Sequence, residues 1–134
     1  MMTPRGAVAV VICSALAVGC RSATAPGTVL VTLDQSRYIA GNVVTGSITN
    51  TSSHLITYNL CQRDLDRRVS SGWTTVIVVP PEGAACNTEG FILSPGGRAQ
   101  FTFAIPTDLA VGTYRIRFLE LLGGVSTPSF AVGR

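Results

Sequence analysis

Apolar and polar residues alternate in short runs from Thr28 to the end of the chain, and clusters of Gly, Pro, Asn and Ser separate the runs. Alternation of this kind places every second side chain on one face of a β-strand. The predicted inward-facing sets are Val29, Val31 and Leu33; Val44, Gly46 and Ile48; Ile56, Tyr58 and Leu60; Ala99, Phe101, Phe103 and Ile105; and Tyr114, Ile116 and Phe118. The pattern predicts an all-β domain, either a sandwich or a barrel.

Other segments are defined less sharply by the pattern. Residues 73–79 form the most β-prone run, residues 91–93 a short strand and residues 125–132 the last strand, whereas residues 38–41 are typical of a turn. Residues 63–69 carry charges of alternating sign. That segment either extends the strand before it or leaves it as a loop, and the charge pattern does not decide between the two.

The first 19 residues have the layout of a secretory signal, with Arg5 followed by an apolar run over residues 7–18. The run is shorter than the roughly 20 residues that a membrane-spanning helix needs. Residues 14–20, S-A-L-A-V-G-C, resemble the lipobox of bacterial lipoproteins. The resemblance implies a lipid on the thiol of Cys20 and cleavage just before it.

The lipobox resemblance predicts a protein held at the cell envelope by acyl chains on Cys20. Arg21 follows the cysteine, and by the same resemblance this favours the outer membrane where the organism has one. The alternative is an ordinary signal peptide, cut near Ala23 or Ala25, that releases a secreted or periplasmic soluble protein. The predicted divisions are a signal peptide at 1–19, a flexible tether at 20–27 and one domain at 28–134.

Four cysteines occur in the chain. Cys13 belongs to the leader and Cys20 is the predicted lipid site, so Cys61 and Cys86 are left as an even pair. In an oxidising compartment such a pair predicts a disulfide, which would stabilise the fold by about 3 kcal/mol for a loop of this length. Two free buried thiols are the alternative.

The order of several short motifs resembles that of bacterial immunoglobulin-like domains, including those similar to proteinase-inhibitor-like modules. The motifs are Tyr38-x-x-Gly41, Thr49-Asn50-Thr51, Tyr58, Gly72-Trp73, Leu93-x-Pro95-Gly96, Phe101-Thr102-Phe103 and Gly112-Thr113-Tyr114-Arg115. The resemblance implies an immunoglobulin-like antiparallel β-sandwich of about seven to eight strands. It also gives structural roles to Trp73 and to Tyr114, whose hydroxyl would return to the upstream backbone as in a tyrosine corner.

The reactive side chains do not favour catalysis. His54 is the only histidine and lies beside the polar turn at residues 51–53. Asp64 and Asp66 would share a face on a strand and could act as an acid pair, but an exposed, arginine-paired loop is the favoured interpretation. No catalytic motif, metal-ligand spacing or phosphate loop occurs. We predict no enzyme activity, no catalytic residue, no cofactor and no metal site.

The formal net charge of +3 is spread along the chain rather than gathered in a basic patch, which argues against nucleic-acid binding. The leading prediction is a non-catalytic envelope module for binding, adhesion or scaffolding, with an unknown protein or glycan partner. Arg98, Arg115 and Arg117 are candidate binding residues for an anion. The alternative is a proteinase inhibitor that acts through the loop from Pro80 to Gly90.

Overall fold

A computed structural model of the chain describes residues 22–25, 28–87, 89–121 and 124–134. The leader at 1–19 and Cys20 lie outside the described residues. Over the described ranges the chain forms strands, turns and loops without a helix. The strands are β1 (Ser22–Ala25), β2 (Val29–Leu33), β3 (Arg37–Ile39), β4 (Val43–Asn50), β5 (Ile56–Tyr58), β6 (Arg63–Val69), β7 (Gly72–Val79), β8 (Phe91–Leu93), β9 (Arg98–Ala104), β10 (Gly112–Phe118), β11 (Val125–Ser126) and β12 (Phe130–Gly133).

Two sheets and a short ribbon account for the described strands. The smaller sheet has the order β1-β2-β4-β9 and is antiparallel throughout. The larger sheet has the order β3-β12-β10-β6-β7, with β11 paired to β10, and only its β3–β12 pair is parallel among the described strands. Strands β5 and β8 form an antiparallel ribbon. The predicted all-β, sandwich-like fold is confirmed, and the number of short strands exceeds the predicted seven to eight.

Side chains from the two sheets meet in the core. Phe101 of β9 contacts Phe118 of β10 edge-on, with ring centroids 4.9 Å apart. Burial of a large apolar side chain stabilises the folded state by roughly 1.5–3 kcal/mol. The buried set includes Val29, Val31, Val44, Ile48, Phe101 and Phe103 from the smaller sheet and Leu65, Tyr114, Ile116, Phe118, Phe130 and Val132 from the larger. These are the faces that alternation predicted for β2, β4, β9 and β10.

The turn predicted at residues 38–41 begins with a strand. Tyr38 lies in β3, in parallel register with Val132 of β12, and its ring meets that of Phe130 edge-on at a centroid distance of 5.3 Å. Burial raises the pKa of Tyr38, and the hydrogen bond that its hydroxyl donates to Asp34 raises it further. The strand forms because β12, at the far end of the chain, supplies its backbone partners. The turn follows at Gly41, where φ is 89°.

The last predicted strand, over residues 125–132, is two strands. Pro128 lies between β11 and β12 and has no backbone N–H to give to β10. Thr127 bridges the break, because its hydroxyl accepts a hydrogen bond from the backbone N–H of Ile116 at 3.0 Å. The prediction of one continuous strand from the apolar pattern was therefore wrong at residues 127–129, which separate β11 from β12.

The tether predicted at residues 20–27 differs from the structure at residues 22–25, which form β1. This strand pairs antiparallel with β2, from Ser22 opposite Thr32 to Ala25 opposite Val29. The outer edge of β2 carries backbone donors and acceptors that need partners, and an adjacent extended segment supplies them. The flexible tether was predicted from amino-acid composition alone, and composition does not show that the edge of β2 is available as a pairing partner for this segment.

The close approach of β4 to its neighbours yields a test of the core. A Cβ atom at Gly46 would lie 2.4 Å from the Phe101 ring and 2.5 Å from the carbonyl oxygen of Thr32. We expect Gly46→Ala to lower the free energy of unfolding by about 2–3 kcal/mol, since the core must shift to admit the methyl group. Urea denaturation measures this change. In the control Gly133→Ala the nearest atom is 3.9 Å away, so a loss as large as that of Gly46→Ala would contradict the packing described.

Candidate functional site

The outer face of the larger sheet carries a cluster of charged side chains. Leu65 and Ile116 are buried in register with each other, so the side chains before and after them point away from the core. The register places Asp66 opposite Arg115 and Asp64 opposite Arg117. The segment at residues 63–69 is thus the interior strand β6 of the sheet. The favoured interpretation of an exposed, arginine-paired loop was wrong about the loop, but its pairing of the aspartates with arginines is confirmed.

Both carboxylates are held by arginines of β10. Arg115 Nε lies 3.0 Å from Asp66 Oδ2, and Arg117 Nε lies 3.1 Å from the same oxygen. Arg117 Nη2 also lies 2.6 Å from Asp64 Oδ2. Thr75 of β7 donates its hydroxyl hydrogen to Asp66 Oδ1 at 2.9 Å. The cluster therefore links β10, β6 and β7 through their side chains.

Opposing effects set the ionisation of this cluster. Burial raises the pKa of Asp66, whose side chain is 3% exposed, but hydrogen bonds from Arg117, Thr75 and Arg115 outweigh burial and leave its pKa below the ordinary value. The hydrogen bond to Asp66 raises the pKa of Arg117. Asp66 is therefore an ionised hydrogen-bond acceptor near neutral pH rather than the proton donor of an acid pair.

The three candidate anion-binding arginines are not brought together. Arg115 and Arg117 project from β10 into the charged cluster, where Asp64 and Asp66 compensate their charge. Arg98 lies on β9 in the other sheet, opposite Thr49 of β4. The structure therefore does not assemble an anion site from these three residues. The sequence pattern placed the two β10 arginines on one face, but it did not show that aspartates of β6 lie beside them.

Trp73 lies on the outer face of the larger sheet. Its ring centroid is 4.5 Å from the guanidinium carbon of Arg115 and 5.4 Å from that of Arg68. Such cation–π contacts stabilise by about 0.5–2 kcal/mol, depending on desolvation. The half-buried indole thus covers the charged cluster. Its structural role is local to this face, and it is not part of the buried core.

Tyr114 has the geometry predicted from the tyrosine-corner motif. The side chain is fully buried, and its hydroxyl donates to the carbonyl oxygen of Ala110 at 2.5 Å. This hydrogen bond fixes the segment that leads into β10, and the register of β10 in turn positions Arg115 and Arg117.

The disulfide between Cys61 and Cys86 is present and joins the start of β6 to the loop before β8. Asn59 reinforces the same connection. Its side-chain amide donates to the carbonyl oxygens of Asn87 at 2.6 Å and Glu89 at 3.0 Å, and its Oδ1 accepts from the backbone N–H of Cys61 at 2.8 Å. The predicted pairing is confirmed, and it holds the loop against the segment after β5.

A cavity of about 340 Å³ lies beside this disulfide. Its walls come from the β5–β8 ribbon, the adjoining segments and the edge strand β9, through Tyr58, Asn59, Leu60, Cys61, Asn87, Phe91 and Gln100. The rings of Tyr58 and Phe91 lie 5.7 Å apart and are tilted by 35°. Gln100 is exposed, and its side chain makes no hydrogen bond to another described residue. The cavity therefore offers aromatic surface and a free amide, and none of the described residues in its lining is a carboxylate or a histidine.

Sequence reasoning missed this cavity. Tyr58 was assigned to a core-facing set, and neither Phe91 nor Gln100 stood out from other strand residues. The cavity depends on β9 lying next to the β5–β8 ribbon, and no local pattern in the sequence reports that proximity. The pairing of Cys61 with Cys86 was the one available signal, because it predicts that the loop returns to the segment after β5.

The loop from Pro80 to Gly90 is exposed over residues 81–85 and is fixed at Cys86. The backbone N–H of Ala84 donates to the carbonyl oxygen of Pro81 at 3.0 Å, and Gly83 has a φ of 86°. The tip is therefore a tight turn, whereas a protease cleft binds an extended chain. Inhibition through this loop stays a prediction that this conformation does not favour.

No protein-family profile and no curated protein matches the chain. Among solved structures, the chain is similar to the sporulation control protein Spo0M from Bacillus subtilis, with 16% identity, a TM-score of 0.47 and coverage of 80% of this chain and 49% of that one. It is also similar to the alkylpurine DNA glycosylase AlkC of Pseudomonas fluorescens bound to DNA containing an abasic site analog, with 16% identity, a TM-score of 0.45 and coverage of 82% and 32%. The chain thus spans about half of the first protein and a third of the second. At these scores, neither protein's activity nor its ligand is carried over.

Within the described ranges, no helix is long and apolar enough to cross a membrane. In the same ranges, no three or more His, Cys, Asp or Glu side chains are grouped so that they could hold a metal ion.

The charged cluster predicts a pH-dependent stability. Asp66→Asn should lower the free energy of unfolding by about 3 kcal/mol at pH 7, because two half-buried guanidinium groups lose the buried carboxylate that compensates their charge. The folded-state pKa of Asp66 lies below its unfolded value of about 3.9, so its stabilisation is present above that pH and is lost as the pH falls through the folded-state pKa. The difference between the wild type and the variant should therefore shrink below about pH 4.

Denaturation curves between pH 3 and 8 measure this difference. The matched control is Asp108→Asn at an exposed position, which should cost less than about 0.5 kcal/mol at every pH. A pH-independent loss for Asp66→Asn would show that its ionised form does not carry the stabilisation.

Proposed function

We propose that this chain is a non-catalytic binding module of the bacterial cell envelope, anchored by lipid on Cys20. Its ligand enters the cavity beside the Cys61–Cys86 disulfide. The observation that carries the proposal is the combination in one fixed recess of two aromatic rings, Tyr58 and Phe91, with the free amide of Gln100. Recesses that combine apolar walls with a few oriented polar groups are the usual ligand sites of proteins.

A glycan is the ligand class that this lining favours. Sugar rings present C–H faces that pack on aromatic rings, and their hydroxyls both donate and accept hydrogen bonds. The side-chain amide of Gln100 can do both at once. Among the lining residues that the structure describes, no side chain is charged, so none would demand an ionic ligand. Asn59 is a positioning residue, because the loop wall and the Cys61 backbone engage its amide.

The start of β1 bears on the mode of anchoring. An ordinary signal-peptide cut near Ala23 or Ala25 would fall inside β1 (Ser22–Ala25) and remove backbone that pairs with β2. A cut before Cys20 leaves the whole strand in the mature protein. This supports the lipoprotein over the secreted or periplasmic form. Two or more acyl chains hold a protein to a bilayer durably, whereas one holds it only marginally.

Intact mass of the protein from the membrane fraction tests the anchor. We expect a chain that begins at Cys20 and carries two or three acyl chains, with Cys61 and Cys86 oxidised. Cys20→Ala should abolish the lipid mass and leave the protein uncleaved or in the soluble fraction. The control Cys13→Ala, inside the leader, should leave both lipid and cleavage unchanged. A soluble wild-type chain that begins after Cys20 would contradict the proposal.

Glycan binding by the mature protein in detergent tests the cavity. We expect the protein to bind envelope polysaccharide fragments displayed on an array. Phe91→Ala should weaken the strongest of these interactions about tenfold, equivalent to about 1.4 kcal/mol of binding free energy. Gln100→Ala should weaken it similarly, because the free amide is lost. The control is Ile92→Ala, since Ile92 is the next residue of β8, is 68% exposed and points to the opposite face.

Equal losses in Phe91→Ala and Ile92→Ala would show that binding does not use the cavity. Absence of any retained glycan would contradict the ligand class. If the same preparation instead slowed a protease at micromolar concentration, the loop from Pro80 to Gly90 would become the functional element.

A further inference from the structure

A second recess lies on the outer face of the larger sheet, where β3, β12 and β10 run side by side. The register places Ala131 of β12 between Arg37 of β3 and Thr113 of β10. Tyr38, Phe130 and Tyr114 are buried, so their neighbours Arg37, Ala131 and Thr113 point outward. Because Ala131 is small, it leaves a hollow of about 190 Å³ between its larger neighbours.

The described lining of the hollow includes one guanidinium group and three hydroxyl groups. Its lining residues are Ser36, Arg37, Thr113, Ser129, Phe130 and Ala131. The wall is fixed, because the backbone N–H of Ala131 donates to the carbonyl oxygen of Ser36 at 2.9 Å. A guanidinium beside several hydroxyls forms a set of hydrogen-bond donors with one positive charge.

The charge of Arg37 is uncompensated by the described part of the chain. Arg37 is exposed and forms no ion pair with a described residue, whereas the ion pairs found there all involve Arg115 or Arg117. None of the described residues that line the hollow carries a carboxylate. A positive group with hydroxyl neighbours and no local counter-ion is arranged to receive an anion rather than to stabilise the fold.

A larger, mostly apolar recess of about 320 Å³ adjoins the hollow and shares Arg37, Thr113 and Ala131 with it. Its further lining consists of Val111, Gly112, Val132 and Gly133. An anion seated against Arg37 would therefore have room beside it for the uncharged part of the molecule that carries it. The combination fits an organic oxyanion better than a bare inorganic ion.

We propose that this hollow binds a phosphoryl group of an organic ligand. Arg37 would engage two phosphate oxygens through its planar fork, and the hydroxyls of Ser36, Thr113 and Ser129 would donate to the others. The ligand is either a soluble phosphate ester or a phospholipid headgroup, since both present this group. The site lies on a different sheet from Gln100 of the disulfide cavity, so it does not depend on the function proposed above.

Titration of the ¹⁵N-labelled mature protein with glycerol 3-phosphate tests the site. We expect saturable amide shifts at Arg37, Thr113 and Ala131 beyond those that sodium chloride causes at equal ionic strength. Arg37→Gln should weaken the affinity about tenfold or more, and Thr113→Val should weaken it by a smaller factor because one donor is lost. Both positions are exposed, so unchanged spectra elsewhere would show that the variants fold.

The control is Arg98→Gln, which removes one exposed arginine from β9 of the other sheet and leaves the hollow intact. It should bind glycerol 3-phosphate as the wild type does. Equal weakening by Arg37→Gln and Arg98→Gln would indicate attraction to net charge alone and would overturn the proposal.

Vesicles distinguish the two sources of the phosphoryl group. In the unlipidated Cys20→Ala background, binding to phosphatidylglycerol in phosphatidylcholine, compared with phosphatidylcholine alone, should be lost selectively when Arg37→Gln is added if a headgroup is the ligand. Saturation by glycerol 3-phosphate without this vesicle preference would assign a soluble ester. Neither saturation nor Arg37-dependent vesicle binding would overturn the site.

Discussion

The carboxylate of Asp66 accepts hydrogen bonds from three side chains on two neighbouring strands, and the larger sheet is arranged around it. Arg115 and Arg117 reach it from β10, and Thr75 reaches it from β7. Burying one charge costs free energy unless charged or polar partners surround it. Here the partners stand at adjacent register positions, so a slip of β6 by one residue would turn Asp66 toward the core and Leu65 toward solvent. The cluster thus specifies the register of β6 against β10 and β7, and β10 in turn forms one side of the hollow beside Arg37.

The disulfide plays a comparable role at the other end of β6. Cys61 lies just before this strand, and its bond to Cys86 returns the long loop after β7 to the segment that follows β5. The amide of Asn59 then ties the same loop through two backbone carbonyls. Tyr58 and Phe91 lie next to the disulfide and the Asn59 hydrogen bonds, and they face each other in the β5–β8 ladder. The distance between the two rings is therefore set by these backbone constraints rather than by ring-to-ring contact alone. A recess held in this way loses little conformational freedom on binding.

The sequence predicted those features that depend on local alternation. Strands β2, β4, β9 and β10 have buried faces at the expected residues, because period-two alternation determines which side chains share a face. The tyrosine corner at Tyr114 and the Cys61–Cys86 bond were predicted because each has a motif or a pairing rule. Features that require a distant partner were missed. Tyr38 becomes part of a strand only beside β12. Asp66 is buried only because Arg115, which lies opposite it, and Arg117 of the same strand both pair with its carboxylate.

The same distinction explains why the arginines were misjudged as a group. In the sequence, Arg115 and Arg117 alternate on one face of a predicted strand, which indicates a binding pair, whereas Arg37 directly precedes the turn predicted at residues 38–41. In the fold, the buried carboxylates of Asp64 and Asp66 compensate the positive charges of Arg115 and Arg117. Arg37 stands at the edge strand β3, beyond the reach of these carboxylates, beside a residue too small to cover it. The charge available to a ligand on this face is therefore decided by the position of Asp64 and Asp66 relative to each arginine and not by the number of arginines.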